Sequence, residues 1–81
     1  LKAMELARFG AGAIGEVDQI GRRLKNCVGD QEAWHEAWSE MAERVEAYGD
    51  REMAEGRRMG AGAYYLRAAT YHFIGERFIP P

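Results

Sequence analysis

The sequence predicts an all-α fold of three to four helices, and three observations carry that prediction. Ala, Glu, Arg and Met are abundant, while Val, Ile and Thr together number eight in 81 residues. That balance favours helix over strand. No stretch alternates apolar and polar residues with a period of two, the pattern a half-buried strand requires. Between residues 31 and 56, Trp34, Trp38, Met41, Val45 and Tyr48 recur with 4-3-4-3 spacing, the seam of a helix packed at a shallow angle on another.

The elements follow in order. A short helix is expected over 2–9, before FGAGAIGE, where Gly10, Gly12 and Gly15 argue against continuation. A second is expected over 16–26, with Val17, Ile20 and Leu24 on its apolar side and Asp18 and Arg22 paired four residues apart on the wet side. NCVGD breaks it. Gly29 is a C-cap candidate there, and Asp30 is an N-cap candidate for the next element. The third helix spans 31–56, with exposed pairs Glu40–Arg44 and Arg51–Glu55 and an expected kink or division at Gly49-Asp50. GRRMGAG is the next break. The fourth helix is expected over 61–77, and it carries apolar or aromatic groups on nearly every side. A helix of that kind expects burial on more than one side.

Composition bounds the function. One small domain is all that 81 residues allow, and a chain of this length buries only roughly 60% of its unfolded surface. The single Cys27 rules out an internal disulfide and fits a reducing, cytoplasmic setting. The net charge of -2 is interspersed, without the basic stripe a nucleic-acid partner requires. No apolar run reaches the ~20 residues of a membrane span. The opening LKAMELARFG has neither a signal-peptide core nor an initiator Met, so a missing N-terminus is expected.

Few residues invite catalytic chemistry. His35 lies between Trp34 and Glu36, side chains that point about 100° apart on a helix, so a rim histidine is expected. His72 and Glu76 share a helix face, but two ligands do not make a metal site. Neither a metal nor a cofactor is expected. Cys27 sits near a helix C-terminus, where the dipole disfavours a thiolate. Ser39 lacks the strand-to-helix elbow of a hydrolase nucleophile. GAGA occurs at 10–13 and 60–63 without the Lys-Ser/Thr of a phosphate loop, so close helix approach is its expected use.

The aromatic set is the stronger signal. Trp34 and Trp38 fit a core. Tyr64, Tyr65 and Tyr71, with His72, bring more polarity to one helix than a core needs, because each buried phenol requires a partner. Arg67, inside YYLRAATY, likewise calls for a carboxylate or a bound anion. The other helices of the chain are not expected to supply those partners. Trp34, Trp38, Tyr64, Tyr65, Arg67, Tyr71 and His72 are therefore the candidates for a pocket lining or an interface.

Two blocks carry a resemblance. They are EAWHEAWSEMAERV, residues 32–45, and GRRMGAGAYYLRAATYHFIGERFIPP, residues 56–81. A tryptophan pair four apart, then Ala-x-Arg, then Gly, small residues, Tyr-Leu-Arg-Ala and an aromatic cluster together resemble the N-terminal helical region of certain α/β-hydrolases. These are enzymes similar to 2,6-dihydroxypseudooxynicotine hydrolase and to the fungal polyketide-shortening hydrolases of pigment synthesis. FGAGAIGEVDQI looks like the opening of that region. Trp34, Trp38, Tyr65, Leu66, Arg67, Ala68 and Tyr71 match the motif, and His72 stands where another aromatic is expected.

The resemblance implies a helical segment that packs on an α/β core and caps its active site, with the core expected beyond Pro81. It implies a serine-type hydrolase with a Ser-His-Asp triad, acting on an ester or on a C–C bond beside a carbonyl. No G-x-S-x-G occurs in the chain, so its residues are expected to shape the pocket for a small ester or ketone substrate rather than to catalyse. The alternative is a small helical interaction module that docks or forms a homodimer through its aromatic face.

Overall fold

The computed structural model describes the backbone over residues 3–77 and side chains over 12–77. Lys2, where the first helix is expected to begin, and residues 78–81 lie outside the described residues. Three helices follow one another: α1 Ala3–Leu24, α2 Gln31–Ala54 and α3 Arg58–Glu76. The described residues contain no strand, and the architecture is all-α.

α1 corrects the expected break. The helix runs 22 residues, straight through GAGAIG, and ends at Leu24 rather than 26. Glycine costs a helix about 1 kcal/mol relative to alanine. A break, however, needs a new start, and residues 10–15 contain no Ser, Thr, Asp or Asn to cap one. Tertiary ties at Glu16 and Ile20, just past the glycines, hold the backbone in register. Arg22 and Arg23 fill the last turn, where cations suit the helix dipole. The expected Asp18–Arg22 pair forms at 3.0 Å.

The two turns are glycine-made. Gly29 has φ +83° and Gly56 has φ +76°, values that a side chain disfavours. Asp30 caps α2 as expected, its Oδ1 accepting from the Ala33 amide at 3.0 Å. α2 passes Gly49-Asp50 unbroken and stops at Ala54 rather than 56. α3 begins at Arg58, three residues before the expected start, and ends at Glu76.

α2 and α3 form an antiparallel hairpin joined by residues 55–57. The predicted seam is the core: Trp38, Met41 and Val45 are buried, with Ala37 and Ala42 beside them, against Ala68 and Tyr71 of α3. Small residues let the two helices approach closely. Ala61, Ala68 and Gly75 recur every seven positions, all buried. A Cβ built on Gly75 would sit 2.9 Å from the Cβ of Trp38. Gly49, expected to kink α2, instead receives a ring: its Cβ would lie 2.6 Å from Tyr65 Cε1.

α1 lies on α2 more sparingly. Ile20 is buried there, while Leu24 packs at the edge and Val17 stays 45% exposed. Polar ties complete the contact. Arg23 Nη2 donates to Glu40 at 2.6 Å, and Arg44 Nη1 donates to Gln19 at 3.2 Å. The expected i, i+4 pairs on α2 are thus replaced, since Glu40 turns to Arg23 of α1 and Glu55 pairs with Arg57 inside the α2–α3 connection. The result is a slab of 40 × 27 × 16 Å, little thicker than one helix of ~10–12 Å.

Candidate functional site

Arg67 finds its carboxylate inside the chain. Its Nη2 donates to Glu16 Oε2 at 3.0 Å, and its Nε lies 2.9 Å from Oε1 as an ion pair without hydrogen-bond geometry. The two side chains are only 12% and 13% exposed. Tyr71 donates to Glu16 Oε1 at 2.7 Å, so one carboxylate of α1 holds two groups of α3. Burial first, and then that hydrogen bond, push the Tyr71 phenol above its ordinary value of 10.0. The guanidinium carbon also stands 5.2 Å from the centre of the Tyr64 ring, a cation–π contact. Tyr65 donates to Asp50 Oδ1 at 2.6 Å, which likewise raises its phenol. The expectation that these partners lie outside the chain is therefore corrected. Glu16 supplies them for Arg67 and Tyr71, and Asp50 supplies one for Tyr65.

The remaining candidates divide between core and edge. Trp34, Trp38 and Tyr71 pack in series as tilted rings, with centres 5.6 Å apart at each step. Trp34 Nε1 donates to the Ile74 carbonyl at 3.0 Å. Trp38 is 6% exposed, and its indole nitrogen has no hydrogen-bond partner among the described residues. His72 turns to Glu46 of α2, at 3.8 Å, rather than to Glu76. Tyr64 meets Tyr48 edge-on at 5.5 Å and lines a cleft of about 210 Å³ with Tyr48, Arg51, Glu52 and Arg57.

Nothing among the described residues assembles a nucleophile, base and acid. Ser39 Oγ lies 3.4 Å from His35 Nε2, and His35 Nδ1 lies 3.4 Å from the Gly75 carbonyl. The pair therefore leads to a backbone oxygen, not to a carboxylate that would orient and charge-stabilise an imidazolium. No group of three potential metal ligands occurs among the described residues. No described helix is long and apolar enough to cross a membrane.

The polarity of α3 is inverted. Tyr65, Arg67, Tyr71 and His72 face the other helices and find partners there. Met59, Leu66 and Phe73 face out, 92%, 67% and 56% exposed. They recur every seven residues, with exposed Gly62 and Ala69 interleaved in 3-4-3-4 spacing. Thr70, the polar neighbour, returns its hydroxyl to the Leu66 carbonyl at 3.0 Å.

Comparison with known proteins gives this geometry a setting. The chain is 35% identical to the 20-hydroxy-prefusarin hydrolase of Gibberella moniliformis over 76 residues, covering 94% of the chain and 18% of that enzyme. It is 37% identical to the hydrolase acrC of Aspergillus aculeatus over 79 residues, again 18% of the relative's length. It is 38% identical to the alpha/beta hydrolase gkaG of Penicillium citrinum over 72 residues, 17% of that protein.

The chain resembles a segment of fungal α/β-hydrolases.

It spans less than a fifth of each of these relatives. No protein-family profile matches the chain, and no solved structure does.

Two features of this hydrolase-like segment escaped sequence reasoning. Glu16 was one, although a signal was present: it stands one turn before Ile20 and two before Leu24, an acid on the apolar side of its helix. The outward stripe of α3 was the other. Its seven-residue recurrence was legible, but nothing in the helix itself told which side α2 would cover.

Proposed function

We propose that the chain is the helical cap segment of a serine-type α/β-hydrolase, one that hydrolyses an ester or a C–C bond beside a carbonyl. The observation that carries this reading is an asymmetry. Nearly the whole chain aligns with hydrolases, yet with only 17–18% of their length, and it folds without a catalytic constellation among the described residues.

On this reading the nucleophile, base and oxyanion donors belong to an α/β core. The cap excludes water and closes the acyl or ketone side of the pocket, where a low dielectric strengthens the core's electrostatic stabilisation. Trp34, Tyr64, Tyr65 and His72 keep accessible surface and are the earlier candidates able to reach a pocket. Trp38, Arg67 and Tyr71 then act through the rigidity of the bundle. A reducing cytoplasm, in which Cys27 stays a thiol, is the compartment that fits.

The test is an activity comparison. The full-length gene product is assayed with a panel of p-nitrophenyl esters and β-diketones, beside residues 1–81 alone and the full-length protein lacking them. Hydrolysis by the full-length protein, none by residues 1–81, and a weakened or altered substrate range without them is the expected result. Turnover by residues 1–81 themselves would overturn the reading.

A further inference from the structure

We infer that the outward stripe of α3, centred on Leu66 and flanked by Met59 and Phe73, is the surface on which this segment docks against the catalytic domain. The inference rests on the cap reading above and assigns the contact to one helix face.

The stripe has the make-up of an interface. It contains no charged side chain between Met59 and Phe73. Its one hydroxyl, on Thr70, is already bonded to the helix's own backbone. Gly62 and Ala69 leave shallow gaps between the three large side chains, into which facing side chains can interdigitate. At its C-terminal end Arg77 lies over the Phe73 ring, 4.3 Å from its centre, a charged rim beside an apolar centre. The inward polarity of α3 is the complementary half of the argument. Tyr65, Arg67 and Tyr71 are already matched to Asp50 and Glu16, and Tyr64 packs on Tyr48 and Arg67, so the uncovered requirement of this helix is apolar.

Two observations favour a linked domain over a second copy. Met59 to Phe73 spans roughly 21 Å along a face about 10 Å wide, far below the ~800 Å² per partner of a stable association between free proteins. A domain joined to the same chain needs less area, because the linkage supplies a high effective concentration. Moreover, the relatives extend well beyond the 17–18% of their length that this segment matches, so a large covalently joined partner is the occupant the comparisons make available.

Cysteine accessibility tests this in the full-length protein, in a Cys27→Ser background. Leu66→Cys, Ala69→Cys and Phe73→Cys are labelled with a maleimide, beside Val28→Cys in the exposed α1–α2 connection, native and denatured. Ala69→Cys adds a single sulfur atom at an exposed position and guards against misfolding by the larger changes. The three stripe positions are expected to label at least about tenfold more slowly than position 28 in the native protein, and to gain its rate when the remainder of the protein is deleted. Equal rates in a full-length protein that still hydrolyses ester probes would sink the face assignment and leave the cap reading standing. Protection that rises with protein concentration, together with a dimer in sedimentation, would hand the stripe to a second copy. A full-length product with no hydrolase activity would remove the cap reading itself.

Discussion

The hydroxyl of Tyr71 and the carboxylate of Glu16 meet at 2.7 Å, although 55 residues separate them in the chain. With Arg67 on the same carboxylate, this contact clasps α1 to α3 beside a small core. Removing Glu16 would strand a guanidinium that is 12% exposed. Glu16→Ala is therefore expected to destabilise by about 3 kcal/mol. Glu16→Gln, which keeps an acceptor for Tyr71, should cost less. Urea denaturation of both variants checks the order, and Glu16→Ala with Arg67→Met should cost less than the two single losses added together.

The burial of Tyr71, and then this contact, predict an alkaline weakness. Tyr71 ionises at higher pH in the folded protein than its ordinary 10.0. Its contribution to stability is thus fully present below about pH 10 and is lost as the pH rises toward the folded value, because the unfolded chain releases the proton first. Denaturation midpoints measured from about pH 8 to pH 11 should fall at the upper end. Tyr71→Phe should flatten that fall but not abolish it, since Tyr65 is raised in the same direction by Asp50.

Glycines separate close approach from idle space. Gly75→Ala would drive a methyl against the Trp38 Cβ, which is 2.9 Å from the new atom and too near the backbone to swing away. Gly49→Ala would meet the Tyr65 ring at 2.6 Å. Each is expected to destabilise by roughly 1–3 kcal/mol, against a helix-propensity gain of about 1 kcal/mol. Gly21, with nothing within 4 Å of its Cβ position, should show that gain alone. Thermal melting of Gly21→Ala should rise while the other two fall.

Ser39 and His35 offer a control for the catalytic assignment. They touch at 3.4 Å but point to a backbone carbonyl, and a buried acid is missing from the pair. If the cap reading holds, replacing either with alanine should leave the full-length protein's hydrolysis of the ester and β-diketone panel unchanged. A loss comparable to removal of a catalytic nucleophile would place chemistry in this segment and contradict the cap reading.

The Asp30 cap is the simplest test of local structure. Its side chain satisfies the Ala33 amide at 3.0 Å. Asp30→Ala should lower stability by about 1 kcal/mol, and Asp30→Asn by much less. Helix content by circular dichroism near the midpoint reports the difference.

Local chemistry was legible in the sequence. Helical class followed from residue types and from the missing period-two alternation. The seam from Trp34 to Tyr48, the cap at Asp30 and the turn at Gly29 followed from spacings within a few residues. The surplus apolar surface of the last helix was also visible, because 3.6-residue periodicity assigns every side chain an angle around its own axis.

Tertiary structure decided what those angles face. Glycine content argued for a break at residues 10–15, yet α1 is continuous because its anchors at Glu16 and Ile20 reach other helices. Arg67 and Tyr71 looked unmatched because Glu16 is 51 and 55 residues away from them. A pattern of one helix gives directions relative to itself. Only packing against α2, through Ala61, Ala68 and Gly75, determined that Met59, Leu66 and Phe73 would be the side left open.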